Sequence, residues 1–344
     1  MANQLIEVAR KVGVSEATVS RVLNGRPGVA PATRTAVLTA LDVLGYERPT
    51  KLRTKRARLV GLMLPELQNP ICPALAEVLA GALAQRHLTP VLCASGPNGL
   101  SEADYVGMLL DQHASGVIFA AGDFAKGTSS EHYRLLKERA LPVVIVNAAD
   151  DDLDFTEVAT DDAVATEQAF RHLQALGHDE IGLIVGPPDH APSRNRLAAF
   201  VEVSERLGWH DAGNRVEHVA FSLEAGHAAG TRLFRSGITG IICGSDPLAL
   251  GAIRAARRLG LNVPADVSVV GYDDSALMTC TDPPLTTVRQ PIEAMGRAAV
   301  RLLTSQIDGG ATTTERLLFE PELVVRGSTA PPRARAERPS LLAG

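Results

Sequence analysis

From Leu5 to Leu44 the chain follows a helical apolar period that breaks at set places, and those breaks restrict what this end can fold into. Leu5, Val8, Ala9 and Val12 fall at i, i+3, i+4 and i+7, one apolar face of a helix. Gly13 ends that helix and permits a tight turn. Ser15 then supplies an N-cap hydroxyl for a second helix over residues 16–24. Ala9 is small enough for close helix approach, and Val19 and Val22 give the second helix its buried face. Small residue, turn, apolar, apolar at this spacing is the helix-turn-helix pattern. It leaves Glu16, Ala17, Ser20 and Arg21 outward, near the start of the second helix, where base edges are reached. A third helix is expected from Pro31 to Leu44, with Ala36, Val37, Ala40, Leu41 and Leu44 inward and Gly45 closing it. A plain three-helix bundle would show a similar pattern, and charge separates the two readings. Residues 1–58 carry 11 Lys and Arg against 4 Asp and Glu, a net of +7, whereas the rest of the chain carries 23 against 35, a net of −12. A basic head on an acidic body points to a nucleic-acid surface.

From residue 59 the rhythm changes to short apolar runs alternating with helical segments. Strands are expected over residues 59–64, 90–94, 116–120 and 142–147, with helices over 73–86, 101–113 and 130–140. A second set follows: helices over 162–176, 193–207, 223–236 and 247–259, and strands over 180–185, 215–220, 240–243 and 267–271. A helix over 292–307 and late strands over 316–319 and 322–326 complete it. Strands alternating with helices mean βαβ units and parallel sheets covered on both faces. Two such sheets make two subdomains, and a ligand belongs beyond the carboxyl ends of their strands, in the cleft between them.

Composition narrows the classes. At 344 residues the chain holds two or three domains with a substantial core. No apolar run approaches the roughly 20 residues of a membrane span, and the polar N-terminus has no signal-like region, so a cytoplasmic protein is expected. Cys72, Cys93, Cys243 and Cys280 are scattered singletons, suggesting neither disulfides nor a zinc site, and no cofactor or metal is expected. Aromatic residues are only 4%, which argues against stacked single-stranded nucleic acid as the target. HExxH, GxxxxGK[ST] and GxSxG are absent, and the adjacent Asp273 and Asp274 do not by themselves make an acid/base couple, so no catalytic residue is assigned.

VARKVGVSEATVSRVLNG, residues 8–25, closely resembles the headpiece of the lactose-repressor (LacI/GalR) family of transcription regulators. The resemblance continues in LGH at 176–178, GSDPLALGA at 244–252, VSVVGYDDS at 267–275 and PPLTTVRQP at 283–291, in the family's order. It implies an N-terminal all-α helix-turn-helix headpiece (residues 1–46), a hinge (47–58) and an α/β periplasmic-binding-protein-like core (59–329) of two doubly wound parallel-sheet subdomains. The subdomains would comprise residues 59–158 with 290–318, and 159–289 with 319–329, with the chain crossing three times, and a flexible tail over 330–344. The tail lacks a sustained leucine heptad, so a tetramer-forming coiled coil is not expected.

Function follows as an expectation: a homodimeric repressor of double-stranded operator DNA, responsive to a small-molecule effector. Arg21 is the candidate for guanine, with Glu16 and Ala17 tuning neighbouring bases. Ser15, Thr18, Ser20, Asn24 and Thr33 would position the protein on phosphates. In the family the hinge helix presses a leucine into the minor groove, and Leu52 is the matching position. Here only Thr50 and Lys51 separate Pro49 from Leu52, about three residues fewer than the family's pattern and most of a helical turn. Either the hinge helix starts later, at Leu52, or Arg53, Lys55, Arg56 and Arg58 serve mainly as phosphate contacts.

For the effector, the resemblance assigns Arg196 and Asp273, an arginine and a carboxylate suited to adjacent hydroxyls, which favours a sugar. Phe221 matches a position that stacks on the ligand, and Asn69, Asn147, Ser245, Asp246 and Gln290 complete the expected set. Plainer roles are open to each: Arg196 could pair with Asp273, Asp246 could cap its helix, and Phe221 could be core. Asp161 and Asp162 read as capping charges, and His190 as a surface or cap residue. Asn69-Pro70 is followed by Ile71 and Cys72, where relatives commonly carry two aromatics, so a wider or less aromatic pocket is expected. The rivals are a sugar-binding protein, a sugar-acting enzyme and an effector-blind DNA binder.

Overall fold

The computed structural model describes residues 2–24, 26, 28–44, 58–95, 99–120, 131–147, 154–209, 212–310 and 315–333. It divides into two compact units, Met1–Arg58 and Leu59–Gly344. The hinge residues Leu52, Arg53 and Lys55, together with Gly45 and residues 334–344, lie outside the described residues.

The first unit holds α1 (Ala2–Val12), α2 (Glu16–Leu23) and α3 (Pro31–Val43). Gly13 takes φ +74°, the left-handed conformation that closes α1 and that a side chain would resist. Ser15 caps α2, its Oγ accepting from the Thr18 amide at 3.2 Å. Val8, Ala9, Val19, Val22, Val37, Ala40 and Leu41 form one buried cluster, with Leu5, Val12 and Leu44 packed against it. Ala36, expected inward, is exposed: it precedes Val37 by one residue, about 100° around the helix.

The second unit contains two six-stranded sheets. In the first, the order is β11-β5-β4-β3-β1-β2, built from β1 (Arg58–Leu64), β2 (Leu88–Ala94), β3 (Gly116–Ala120), β4 (Val143–Val146), β5 (Thr156–Thr160) and β11 (Arg316–Phe319). The second runs β12-β10-β9-β8-β6-β7, from β6 (Ile181–Val185), β7 (Val216–His218), β8 (Gly240–Cys243), β9 (Ser268–Asp273), β10 (Thr286–Arg289) and β12 (Glu322–Val324). Strand pairing is parallel from β1 through β3, β4 and β5 to β11, and from β7 through β6, β8 and β9 to β10. The edge strand β12 runs antiparallel to β10.

Alternation along the strands sorts each sheet's side chains into two cores. Leu62, Ile118, Val144 and Val158 face α4 (Ile71–Ala84) and α11 (Ile292–Ile307), while Met63, Val117, Phe119, Val143 and Ile145 face α5 (Glu102–Asp111) and α6 (Glu131–Glu138). In the second sheet Ile181, Leu183, Val185, Ile242 and Val270 pack on α7 (Asp162–Ala175) and α8 (Ala191–Arg206). Ile184, Ile241, Cys243 and Val269 pack on α9 (Leu223–Arg235) and α10 (Asp246–Arg258). The chain passes between sheets after β5, after β10 and between β11 and β12. Among the described residues no helix is long and apolar enough to cross a membrane.

The last described residues are anchored where a flexible tail was expected to begin. The Ala330 amide donates to Ser268 Oγ at 3.0 Å, and Arg333 Nη1 donates to the buried Asp266 carboxylate at 3.0 Å.

α9 and α10 are held close by glycines. A Cβ on Gly251 would stand 2.6 Å from the His227 amide nitrogen and press on the Leu223 carbonyl oxygen. Both obstacles are backbone and cannot rotate away. Gly251→Ala is therefore expected to destabilise the second unit by about 1–3 kcal/mol, the usual scale of overpacking. The urea unfolding midpoint checks this, and an unchanged midpoint would mean that α9 and α10 part easily.

Candidate functional sites

A cavity of about 390 Å³ in the second unit opens at the carboxyl ends of the strands of both sheets. That volume lies within the range of small-molecule sites. Of the expected residues, Asn69, Asn147, Arg196, Phe221, Asp273 and Gln290 line it, and so does His190. Ser245 and Asp246 do not. Ser245 caps α10, its Oγ accepting from the Leu248 amide at 3.4 Å. Asp246 is fully buried, its carboxylate accepting from the Ser275 amide and from Thr287 Oγ1, both at 2.7 Å. It staples the β9 turn to β10, and the residue at that strand end that faces the cavity is Gly244.

Arg196 reaches the cavity from α8 and is nearly buried. Its Nε donates to Asp162 Oδ1 at 2.8 Å and its Nη1 to the Gly244 carbonyl at 2.7 Å, while the guanidinium lies 3.7 Å above the Tyr272 ring. Tyr272 in turn donates its hydroxyl to Asp162 Oδ1 at 3.3 Å. Burial works against the arginine's charge, but Tyr272 and Asp162 outweigh it and hold the pKa above its ordinary value. The partner of Arg196 is therefore Asp162 rather than Asp273. Asp161 is the cap of α7, accepting from the Ala163 and Val164 amides, whereas Asp162 turns inward.

Asp273 ends β9 with φ +115°, followed by Asp274 at +56°, strained conformations for residues with a Cβ. Burial, then the neighbouring Asp246 carboxylate, push its pKa well above the usual carboxylate range. Gln290 Nε2 donates to its Oδ1 at 2.6 Å, and its Oδ2 is buried without a partner, as is Asn69 Oδ1.

Gln290 follows β10 at a crossing, and its Oε1 accepts from Asn147 Nδ2 at 2.7 Å and from Thr160 Oγ1 at 2.8 Å. Asn147 Oδ1 accepts from the Thr160 amide at 2.9 Å. This relay joins the ends of β4 and β5 to the end of β9.

On the far wall, the rings of His190 and Phe221 meet edge to face, 5.2 Å apart at 72°, and His190 Nδ1 lies 3.0 Å from Ser193 Oγ. The Phe221 ring covers Gly186, where a Cβ would strike it. Burial, followed by Arg196 and Arg194, depresses the His190 pKa to about 4. Ile71, Cys72 and Leu75 of α4 form an aliphatic wall.

Sequence reasoning read Asp162 as a capping charge and did not single out Tyr272, Thr160, Glu66 and Asp189. A signal existed for the first: two acids open α7, where one suffices as a cap.

In the first unit Ser15, Glu16, Ala17, Arg21 and Asn24 are exposed, while Thr18, Ser20 and Thr33 are half-buried. Asn24 Nδ2 donates to the Ser20 carbonyl at 2.8 Å, closing α2, and Ser15 Oγ lies 2.9 Å from Thr18 Oγ1. Glu16 and Ala17 at the start of α2 and Arg21 in its last turn are thus all turned outward.

Because His190 is held neutral, its folded pKa lies below the ordinary 6.5. The stability this contributes is present above pH 6.5 and lost as pH falls through about 4. His190→Gln should therefore lose less stability than the parent on acidification, by about 1–2 kcal/mol at pH 5. Urea titrations at pH 7.5 and 5 check it, and parallel losses in both proteins would mean that His190 titrates freely.

Comparison with known proteins places these features in a family. Residues 4–49 match the profile of bacterial regulatory proteins of the lacI family, and residues 170–329 match a periplasmic binding protein-like domain. The chain is 47% identical to the HTH-type transcriptional regulator MalR of Streptomyces coelicolor, over 98% of this chain and all of the relative. It is 31% identical to the HTH-type transcriptional regulator DegA of Bacillus subtilis, over 96% of this chain and 99% of that one. Among solved structures, the transcriptional regulator CelR in complex with cellobiose superposes with TM-score 0.72 at 32% identity, covering 94% of this chain and 99% of that one. The lac repressor dimer bound to operator and the anti-inducer ONPF gives TM-score 0.72 at 28% identity, covering 94% and 98%.

Proposed function

The chain belongs to the lacI family of bacterial regulatory proteins, and from that premise we propose that it is a cytoplasmic, homodimeric repressor that reads a pseudo-palindromic operator and answers to a sugar. It is a regulator and not an enzyme. The observation that carries the reading is the pairing, on one chain, of a basic helix-turn-helix unit and a cavity with Arg196 and Asp273 at its polar end. Arg21 contacts guanine O6 and N7, Glu16 and Ala17 tune the neighbouring bases, and Ser15, Thr18, Ser20, Asn24 and Thr33 set the register on phosphates. One headpiece binds weakly, and dimerisation multiplies its affinity. The hinge either starts its helix at Leu52, which then wedges the minor groove, or contributes mainly phosphate contacts through Arg53, Lys55, Arg56 and Arg58.

In the cavity the relay through Gln290 supports the regulatory step. Asn147 and Thr160 stand at the ends of β4 and β5 of the first sheet and Asp273 at the end of β9 of the second, so a ligand that engages Asp273 and Asn69 favours one setting of the crossing over another. Reversing a population from 99:1 to 1:99 takes about 5.5 kcal/mol of differential affinity. Two or three hydrogen bonds to charged or buried groups supply that scale.

Selection of bound sequences from a random DNA pool tests the reading. An enriched pseudo-palindrome is expected, and a flexible pyrimidine–purine step at its centre would be the footprint of Leu52. Arg21→Ala should lower preference at one base pair per half-site by about 1–3 kcal/mol, with ligand binding and thermal unfolding of the second unit unchanged. Absence of any enriched motif would remove the operator-reading role, and unchanged preference in the variant would remove Arg21 from it.

A further inference from the structure

The second acid of the pair that ends β9 has no place in the cavity wall. Asp274 does not line it, yet its side chain is only 8% exposed and both carboxylate oxygens are taken. Oδ2 accepts from Arg289 Nε at 2.7 Å, and Oδ1 accepts from Arg326 Nη2 at 2.5 Å. Arg326 is the more buried of the two arginines and is fixed at two further points. Its Nη1 donates to the Leu285 carbonyl at 2.8 Å and its backbone amide to Thr286 Oγ1 at 2.9 Å. Arg289 stands opposite Asp273 in the parallel β9–β10 register and also reaches Glu322 of β12, an exposed pair that contributes little. Both arginines lie on crossing segments. Arg289 ends β10, where the chain leaves the second sheet, and Arg326 follows β12, where it has returned.

We infer that Arg289 and Arg326 are positioning residues: by gripping Asp274 they hold the turn that aims the Asp273 carboxylate into the cavity, and they refer that aim to both crossing segments. The turn needs such a grip. Asp273 at φ +115° and Asp274 at +56° hold conformations that a side chain resists, and an unrestrained backbone would leave them. The other restraints are one hydrogen bond each, from Gln290 Nε2 to Asp273 Oδ1 and from the Ser275 amide to Asp246 Oδ2. Arg326 alone joins the turn to the start of β10 at three points. A lysine there keeps the charge but lacks the planar fork that meets the Asp274 carboxylate and the Leu285 carbonyl together. The consequence for ligand rests on the reading of the cavity as an effector site. With the turn released, Asp273 no longer presents Oδ2, the buried oxygen left without a partner.

Two measurements on the full chain decide the point. Hydrogen exchange read by mass spectrometry, without sugar, follows the peptide around the Ser275 amide, and calorimetry follows cellobiose, maltose, trehalose and lactose. For Arg326→Gln the expected result is exchange at least about tenfold faster in that peptide, with β6 and β8 of the same sheet at the parent's rate. Any of the four sugars that binds the parent should bind this variant at least about tenfold more weakly. Arg326→Lys should fall between the two. Asp274→Asn, which tolerates the left-handed backbone but drops the charge, should move both readouts in the direction of Arg326→Gln. These two variants carry the test if Arg326→Gln does not fold. Unchanged exchange overturns the inference, and so does exchange that rises equally throughout the sheet, which would make Arg326 a general brace. A loosened turn with undiminished sugar affinity overturns it as well. A loosened turn with no heat from any sugar, in parent or variants, leaves the grip on Asp274 standing and overturns the sugar reading.

Discussion

A single carboxamide, that of Gln290, is the node on which the second unit turns. It sits where the chain leaves β10 for α11, and both ends of its amide are engaged. Its oxygen takes hydrogen bonds from Asn147 and Thr160, and its nitrogen gives one to Asp273. A glutamate here would lose the donor to Asp273, and an aliphatic residue would strand three polar groups in a buried setting. The strand ends of both sheets are thereby referred to one another through a side chain that also lines the cavity. A change in what Asp273 bonds therefore alters the same network that holds the crossing.

The polar end of the cavity is prepared in advance by a second arrangement, the stack of Arg196 on Tyr272 with Asp162 beneath. An arginine brought into an apolar interior would be costly alone. Here the carboxylate, the Gly244 carbonyl and the ring face replace the water it has lost. The guanidinium is thereby fixed in the cavity wall. The same arrangement leaves Asp273 without a counterion of its own. Its raised pKa and its unpartnered oxygen follow from burial and from the Asp246 carboxylate nearby.

Much of this was legible in order and type. The break at Gly13 with Ser15 after it located α2, and apolar runs flanked by turn residues located most strands of both sheets. Two strands escaped. β5 is the polar run Thr156–Thr160, whose Glu157 interrupts the apolar pattern; β4 on one side, β11 on the other and an ion pair from Arg316 at 2.9 Å make it a strand. β10 escaped for the same reason, since three of its four residues are Thr or Arg and β9 and β12 secure it. The cavity residues Arg196, Asp273 and Gln290 came from motif resemblance, and the bonds that hold them, Arg196 to Asp162 and Gln290 to Asp273, did not. Which of two adjacent aspartates caps α7 and which turns inward to Arg196 depends on a helix 34 residues away, and local sequence does not encode that.

The distribution of charge links the two units' chemistry without any contact between them being invoked. The first 58 residues carry a net +7 and the remainder a net −12. Attraction to a polyanion therefore resides in the first unit, and the acidic body contributes repulsion that weakens as salt rises. A body of this sign disfavours indiscriminate adhesion to DNA and leaves the short basic head to determine where the protein stays. The same surplus of acid reaches into the cavity through Glu66 and Asp189. Acidity outside keeps the body off DNA.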